Sequence, residues 1–104
     1  MAQRKLEVHP EALLEADAGL AWYLERSRGA GELFYSEPER ALDAIVRAPL
    51  RWPRYLRGTR RYLLYKFPYS VVYQPVGERV FVYAVALAKR RPGYWKSRLT
   101  WSGE

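Results

Sequence analysis

The sequence predicts an α+β domain in two layers: an N-terminal helical hairpin packed on a small antiparallel sheet, in the order β-α-α-β-β-β. Three observations predict it. The first half places apolar residues at three- and four-residue spacing, which puts them on one face of a helix. The second half holds three runs rich in β-branched and aromatic residues. Those runs are separated by breaks too short for a parallel crossover, so neighbouring strands must be antiparallel. With 104 residues, one domain spanning 1–104 is expected.

Residues 3–8 alternate weakly around Leu6 and Val8 and read as a short strand. His9-Pro10-Glu11 opens a helix, because Pro suits the first helical position and an acid in the first turn suits the helix dipole. Leu13, Ala16, Leu20, Tyr23 and Leu24 give its apolar stripe. Gly29 and Gly31 are expected to punctuate the chain after it. A second helix is expected over 32–48, with Leu33, Phe34, Ala41, Leu42 and Ile45 on one face. Pro38 falls inside it and lacks a backbone donor, so a kink and a break are both open. Pro49 and Pro53 begin a loop that runs to about Thr59.

Strands are then expected at Arg60–Phe67, Tyr69–Gln74 and Val80–Ala88. The last is apolar on both faces, which places it inside the sheet, since edge strands avoid such runs. Strict alternation along 60–67 puts Arg60, Tyr62, Leu64 and Lys66 on one side and Arg61, Leu63, Tyr65 and Phe67 on the other. Arg60 and Lys66 are thus expected to share a face, with Lys89, Arg90 and Arg91 adding to one positive surface.

Charge is distributed unevenly. The net charge is +7, and between Arg47 and Arg98 thirteen cations face a single acid, Glu78. Such a half attracts nucleic acid or an acidic protein segment. The tail, from Lys89 to Arg98, mixes five cations with Tyr94 and Trp95. Cations bind phosphates and flat rings stack on bases; Trp95 equally suits a lid on the core. Trp22, Tyr23 and the strand aromatics read as packing groups.

Familiar catalytic sets are mostly missing. There is no cysteine and one histidine, His9, placed at a helix start where a local role is expected. The serines lack a His-plus-acid set to activate them. Neither a metal site nor a cofactor is expected: there is no cysteine, only one histidine, the acids are scattered mostly over helix faces, and no glycine-rich phosphate loop is present. No run is long enough to span a membrane. Met1–Pro10 is too polar for a signal peptide, so a cytoplasmic location is expected. Arg, Lys and Tyr remain. They can bind a phosphodiester, and in a metal-independent ribonuclease Lys or Tyr would assist proton transfer to and from a 2′-OH nucleophile.

The chain resembles the ParE/RelE superfamily of toxins from bacterial type II toxin–antitoxin systems, in particular the ParE-like plasmid stabilisation group. The matching features run in order over about residues 4–98. They are His9-Pro10-Glu11-Ala12, Trp22-Tyr23, Phe34 with Ala41-Leu42 and Ile45, then Pro49 and Pro53. Arg60-Arg61-Tyr62 through Phe67-Pro68-Tyr69 follows, and Ala84-Val85-Ala86 leads into Arg91-Pro92-Gly93-Tyr94-Trp95. The resemblance implies a growth-inhibiting toxin neutralised by a cognate acidic antitoxin in a hetero-oligomer. It also implies either of two targets, DNA gyrase in the ParE branch or ribosome-bound messenger RNA in the RelE branch. Carried over by position, Arg60, Arg61, Lys89, Arg90, Arg91, Tyr94 and Arg98 are candidates for target or nucleic-acid binding, and the charge pattern adds Lys66. Arg60, Arg61, Lys89, Arg91 and Tyr94 are the catalytic candidates if the chain is an endoribonuclease. Relatives commonly carry His after the Ala-Val-Ala strand, where this chain has Leu87. That departure favours the gyrase branch over an enzyme. It also leaves room for a vestigial basic module that only binds its partner.

Overall fold

The computed structural model describes residues 4–103. Strand β1 (Lys5–Val8) leads into helix α1 (Pro10–Arg26) and helix α2 (Arg28–Arg47). Three strands follow, β2 (Arg60–Leu63), β3 (Tyr69–Val76) and β4 (Arg79–Leu87). They form one sheet in the order β1-β4-β3-β2, with the helical hairpin on one face. The α+β class and the interior position of the last strand are as expected. Gln3, expected in the first strand, lies outside the described residues.

Several details differ from the sequence reading. β1 pairs with β4 in parallel, Leu6 opposite Val80 and Val8 opposite Val82, so the sheet is mixed. The hairpin supplies the crossover that a parallel pair requires. α2 begins at Arg28, ahead of the expected 32. Ser27 ends α1 and caps α2, its hydroxyl accepting the Ala30 N–H at 3.2 Å. Gly29 and Gly31 therefore lie inside α2, where Gly31 lets Leu24 of α1 pack directly on the backbone. Pro38 neither breaks α2 nor ends it. Phe34 on one side and Ala41 and Ile45 on the other are all buried, and their shared packing holds the helix across the missing hydrogen bond.

β2 stops at Leu63 instead of running to Phe67. Residues 65–68 bend back, tied by the Tyr65 N–H to Glu37 and the Leu64 N–H to the Tyr69 carbonyl. Phe67 turns into the helix-side core against Tyr23 and Phe34. The alternation expected through Phe67 therefore holds as far as Leu64, buried on the helix side with Tyr62 packed against the same core, and fails at Phe67. At the next hairpin Gly77 adopts φ +59, which a tight turn requires and glycine adopts freely.

A bulge decides the two faces of β4. Val72 pairs with Ala84 but Tyr73 pairs with Val82, so Tyr83 is an extra residue. Val80, Val82 and Val85 consequently all face the helices, with Val71, Tyr73 and Phe34. Ala84 and Ala86 face the other way, with Val72, and there the C-terminal tail covers them. Trp95 is 1% exposed in that second cluster, flanked by Tyr55, Tyr94 and Leu99. It is a lid on the sheet, one of the two roles the sequence allowed.

Candidate functional site

The site forms where β1 runs out. His9 donates its N–H to the Val82 carbonyl at 2.8 Å, and Pro10 then takes the chain up into α1. Past that point β4 has no strand on its outer side. Its exposed backbone groups need other partners, because an unpaired buried amide or carbonyl is costly.

Two side chains provide them. The Glu15 carboxylate accepts the Val85 N–H at 3.0 Å, and the Arg98 guanidinium donates to the Tyr83 carbonyl at 2.9 Å. Glu15 and Arg98 join each other through two hydrogen bonds, each of 3.0 Å. This is the parallel, two-pronged geometry that suits Arg and a carboxylate. Tyr94 adds its hydroxyl to Glu15 at 2.6 Å and Arg90 approaches at 3.2 Å. The side chains of Glu15 and Arg98 are only 14% and 12% exposed, so solvent screens the pair weakly.

The cluster shifts its own titrations. Burial, together with the hydrogen bond and charge of Glu15, pushes the Tyr94 hydroxyl well above its ordinary value. For Arg98, burial works against the charged form, but the hydrogen bonds and charge of Glu15 outweigh it and its pKa is raised. Both groups stay protonated at neutral pH.

The remaining sequence candidates are dispersed. Arg60 donates to the Leu50 and Trp52 carbonyls at 3.2 and 2.7 Å, anchoring the loop before β2. Arg61 lies on the opposite sheet face with its guanidinium 4.2 Å from the Tyr55 ring centre. Lys66 sits in the turn beyond β2, at the other end of that strand from Arg60. Lys66 thus lies outside β2, where strand alternation no longer assigns it to the face of Arg60, and the Arg60 guanidinium is engaged by the loop carbonyls. Lys89 and Arg91 are exposed. Lys89 lines a groove of about 440 Å³ with Ala18, Gly19, Trp22, Tyr69 and Leu87. Trp22 is 48% exposed there, with Arg26 stacked on its ring at 3.4 Å.

His9 has a local role, as expected. Its Nδ1 accepts the Glu11 N–H at 3.0 Å, capping α1, and its ring meets Trp101 edge-on. Glu15 was not singled out from sequence. Its signal was present: it falls among Ala12, Ala16 and Gly19, the small residues that α1 turns toward the sheet, where a carboxylate must find partners. Among the described residues no group of three or more His, Asp or Glu could hold a metal. No helix among them is long and apolar enough to cross a membrane.

No protein-family model matches the sequence, and no curated protein does. A solved structure does match, a chain described as from the chromosomal ParDE TA system from P. aeruginosa. It superimposes with a TM-score of 0.72 over 84% of this chain and 98% of that one, at 13% identity. The two chains share this α+β fold. At that identity the likeness concerns the fold alone, and residue roles rest on the geometry above.

Proposed function

We propose that this chain is the toxin of a type II toxin–antitoxin pair, held inactive in a hetero-complex by an acidic antitoxin in the cytoplasm. We further propose that it acts by binding, on DNA gyrase as the ParE resemblance implies. The engagement of Tyr94, Arg90 and Arg98 with Glu15 carries the second part. In a ribonuclease of this residue composition, tail Tyr and Arg groups would face the substrate and move protons. Here the Tyr94 hydroxyl is committed to a carboxylate and its raised pKa makes it a poorer base. Leu87 stands where an imidazole would otherwise serve. A binder needs no shifted pKa, only accessible cations, and Lys89, Arg91 and Lys66 remain exposed for that purpose.

The test is to express the chain alone and together with the product of the adjacent reading frame. Growth, messenger RNA integrity and gyrase supercoiling are then measured. Growth arrest with loss of supercoiling and intact messenger RNA, relieved by the neighbour, is the expected result. Codon-positioned cleavage on ribosomes with normal gyrase activity would replace the binding mechanism with the RelE-type enzyme. Absence of any growth effect would leave only a basic interaction module.

A further inference from the structure

The loop before β2 leaves a cavity at the far end of the sheet from the tail cluster. β2 begins at Arg60, opposite Tyr73, so Gln74 and Pro75 of β3 have no β2 residue beside them. The space there is about 430 Å³, lined by Leu50, Arg54, Gly58, Arg60, Gln74 and Pro75. Pockets for small ligands begin at about 300 Å³. One wall is fixed through Gln74. Its amide donates to the Gly58 carbonyl at 3.3 Å and accepts the Tyr83 hydroxyl at 3.2 Å.

The charge in this cavity is unopposed. Arg54 and Arg60 stand opposite each other in an antiparallel bridge, so their side chains leave the same face. Like charges placed so are destabilising. The sequence has no acid between Asp43 and Glu78, and the ion pairs of the described residues all lie elsewhere. Arg60 is held in place by Nη1, which donates to the Leu50 and Trp52 carbonyls; Nε and Nη2 are left as donors. At the tip of the same loop Arg57 has φ 56, a left-handed conformation that costs energy in a residue other than glycine. An anion between the two guanidiniums would offset the repulsion that the loop builds in.

We infer that this cavity binds a free phosphate monoester with a small apolar body. A dianion answers two cations, and the planar fork of Arg matches phosphate oxygens. Leu50 and Pro75 supply an apolar wall for the ester group. A nucleic-acid strand fits less well, because its internal phosphates carry one charge each. The ring in the lining, Tyr55, already has Arg61 4.2 Å from its centre and the Trp95 ring at 6.0 Å, so it is no free platform for a base. The site shares no residue with the Glu15–Arg98 cluster and does not depend on toxin activity.

The test uses phenyl phosphate as the probe. It should raise the thermal midpoint of the wild-type chain and shift the Gly58 and Thr59 amide resonances and the Gln74 side-chain amide in a saturable way. Methyl phenyl phosphate, a diester with one charge, should bind at least tenfold more weakly. Phenyl phosphate should bind several-fold more tightly at pH 7.5 than at pH 5.5, because the monoester gains its second charge near pH 6. Arg54→Gln should weaken it at least tenfold, yet leave the midpoint without ligand equal or higher, since one of two opposed charges is gone. Arg40→Gln, in the separate hollow between α2 and β1, should leave binding within twofold. A single-stranded 12-mer is tested with a 5′-hydroxyl and with a 5′-phosphate. Preference for the 5′-phosphate form at no better than phenyl phosphate affinity would support a monoester site. Equal binding of the two 12-mers, tighter than phenyl phosphate and lost in Arg54→Gln, would replace it with a nucleic-acid track. No saturable shift, a diester that binds as well as the monoester, or indifference to Arg54→Gln would overturn the site.

Discussion

Glu15 and Arg98 lie 83 residues apart and meet through two 3.0 Å hydrogen bonds along the outer edge of β4. Together they replace a strand neighbour: one accepts from Val85, the other donates to Tyr83. The same pair fastens the tail that carries Trp95 over the second face of the sheet.

Removing one partner should therefore cost much of the stability. Glu15→Ala leaves two guanidiniums facing each other and an unpaired Val85 N–H. A loss of about 3–5 kcal/mol in unfolding free energy is expected, the range for breaking a buried pair. Urea titration measures it. A loss below about 1 kcal/mol would mean that the edge is not held by this contact.

Tyr94→Phe and Arg91→Ala should separate cleanly in stability. The Tyr94 hydroxyl makes a charge-assisted bond to Glu15, so its removal should cost about 1.5–3 kcal/mol. Arg91 is exposed, and Arg91→Ala should stay within about 0.5 kcal/mol. Any loss of target binding in Arg91→Ala then reports on contact, whereas one in Tyr94→Phe must first be corrected for unfolding. Equal thermal midpoints for Tyr94→Phe and the wild type would contradict this assignment.

His9 gives a pH dependence of definite sign. Burial first, then the charge of Arg98, hold its pKa below the ordinary 6.5, while Glu11 and Glu15 oppose that shift. The folded state thus binds the proton less readily than the unfolded state. Stability from this group is complete above about pH 6.5 and falls as pH drops toward the lower folded value. Protonation also removes the Nδ1 acceptor that caps α1. His9→Asn keeps a cap without the titration. Denaturation midpoints at pH 7.5 and 5.5 should diverge more in the wild type than in His9→Asn; parallel shifts would exclude the role.

Gly19→Ala should destabilise although alanine is the better helix former by about 1 kcal/mol. A Cβ at Gly19 would lie 2.6 Å from Phe34 Cζ, inside a ring cluster with little room to move. A net loss of about 1–3 kcal/mol is expected from overpacking. Calorimetry showing a gain would mean that Phe34 relaxes freely.

The sequence by itself determined the element order, the helical hairpin, the interior place of the Val80–Ala88 run, of which the strand keeps all but Ala88, and the local role of His9. These follow from periodicity, proline position and connection length, all properties of neighbouring residues. Tertiary structure decided the rest. The Tyr83 bulge reassigns every later residue of β4 to the other face, and nothing within that apolar run marks where the extra residue falls. Phe67 leaves the alternation of β2 because the Tyr23 and Phe34 rings offer it a buried place. Arg90, Tyr94 and Arg98 looked like a surface awaiting an anion. The fold brings Glu15 to them because β1 is only four residues long, leaving backbone groups on β4 that side chains from distant parts of the chain satisfy.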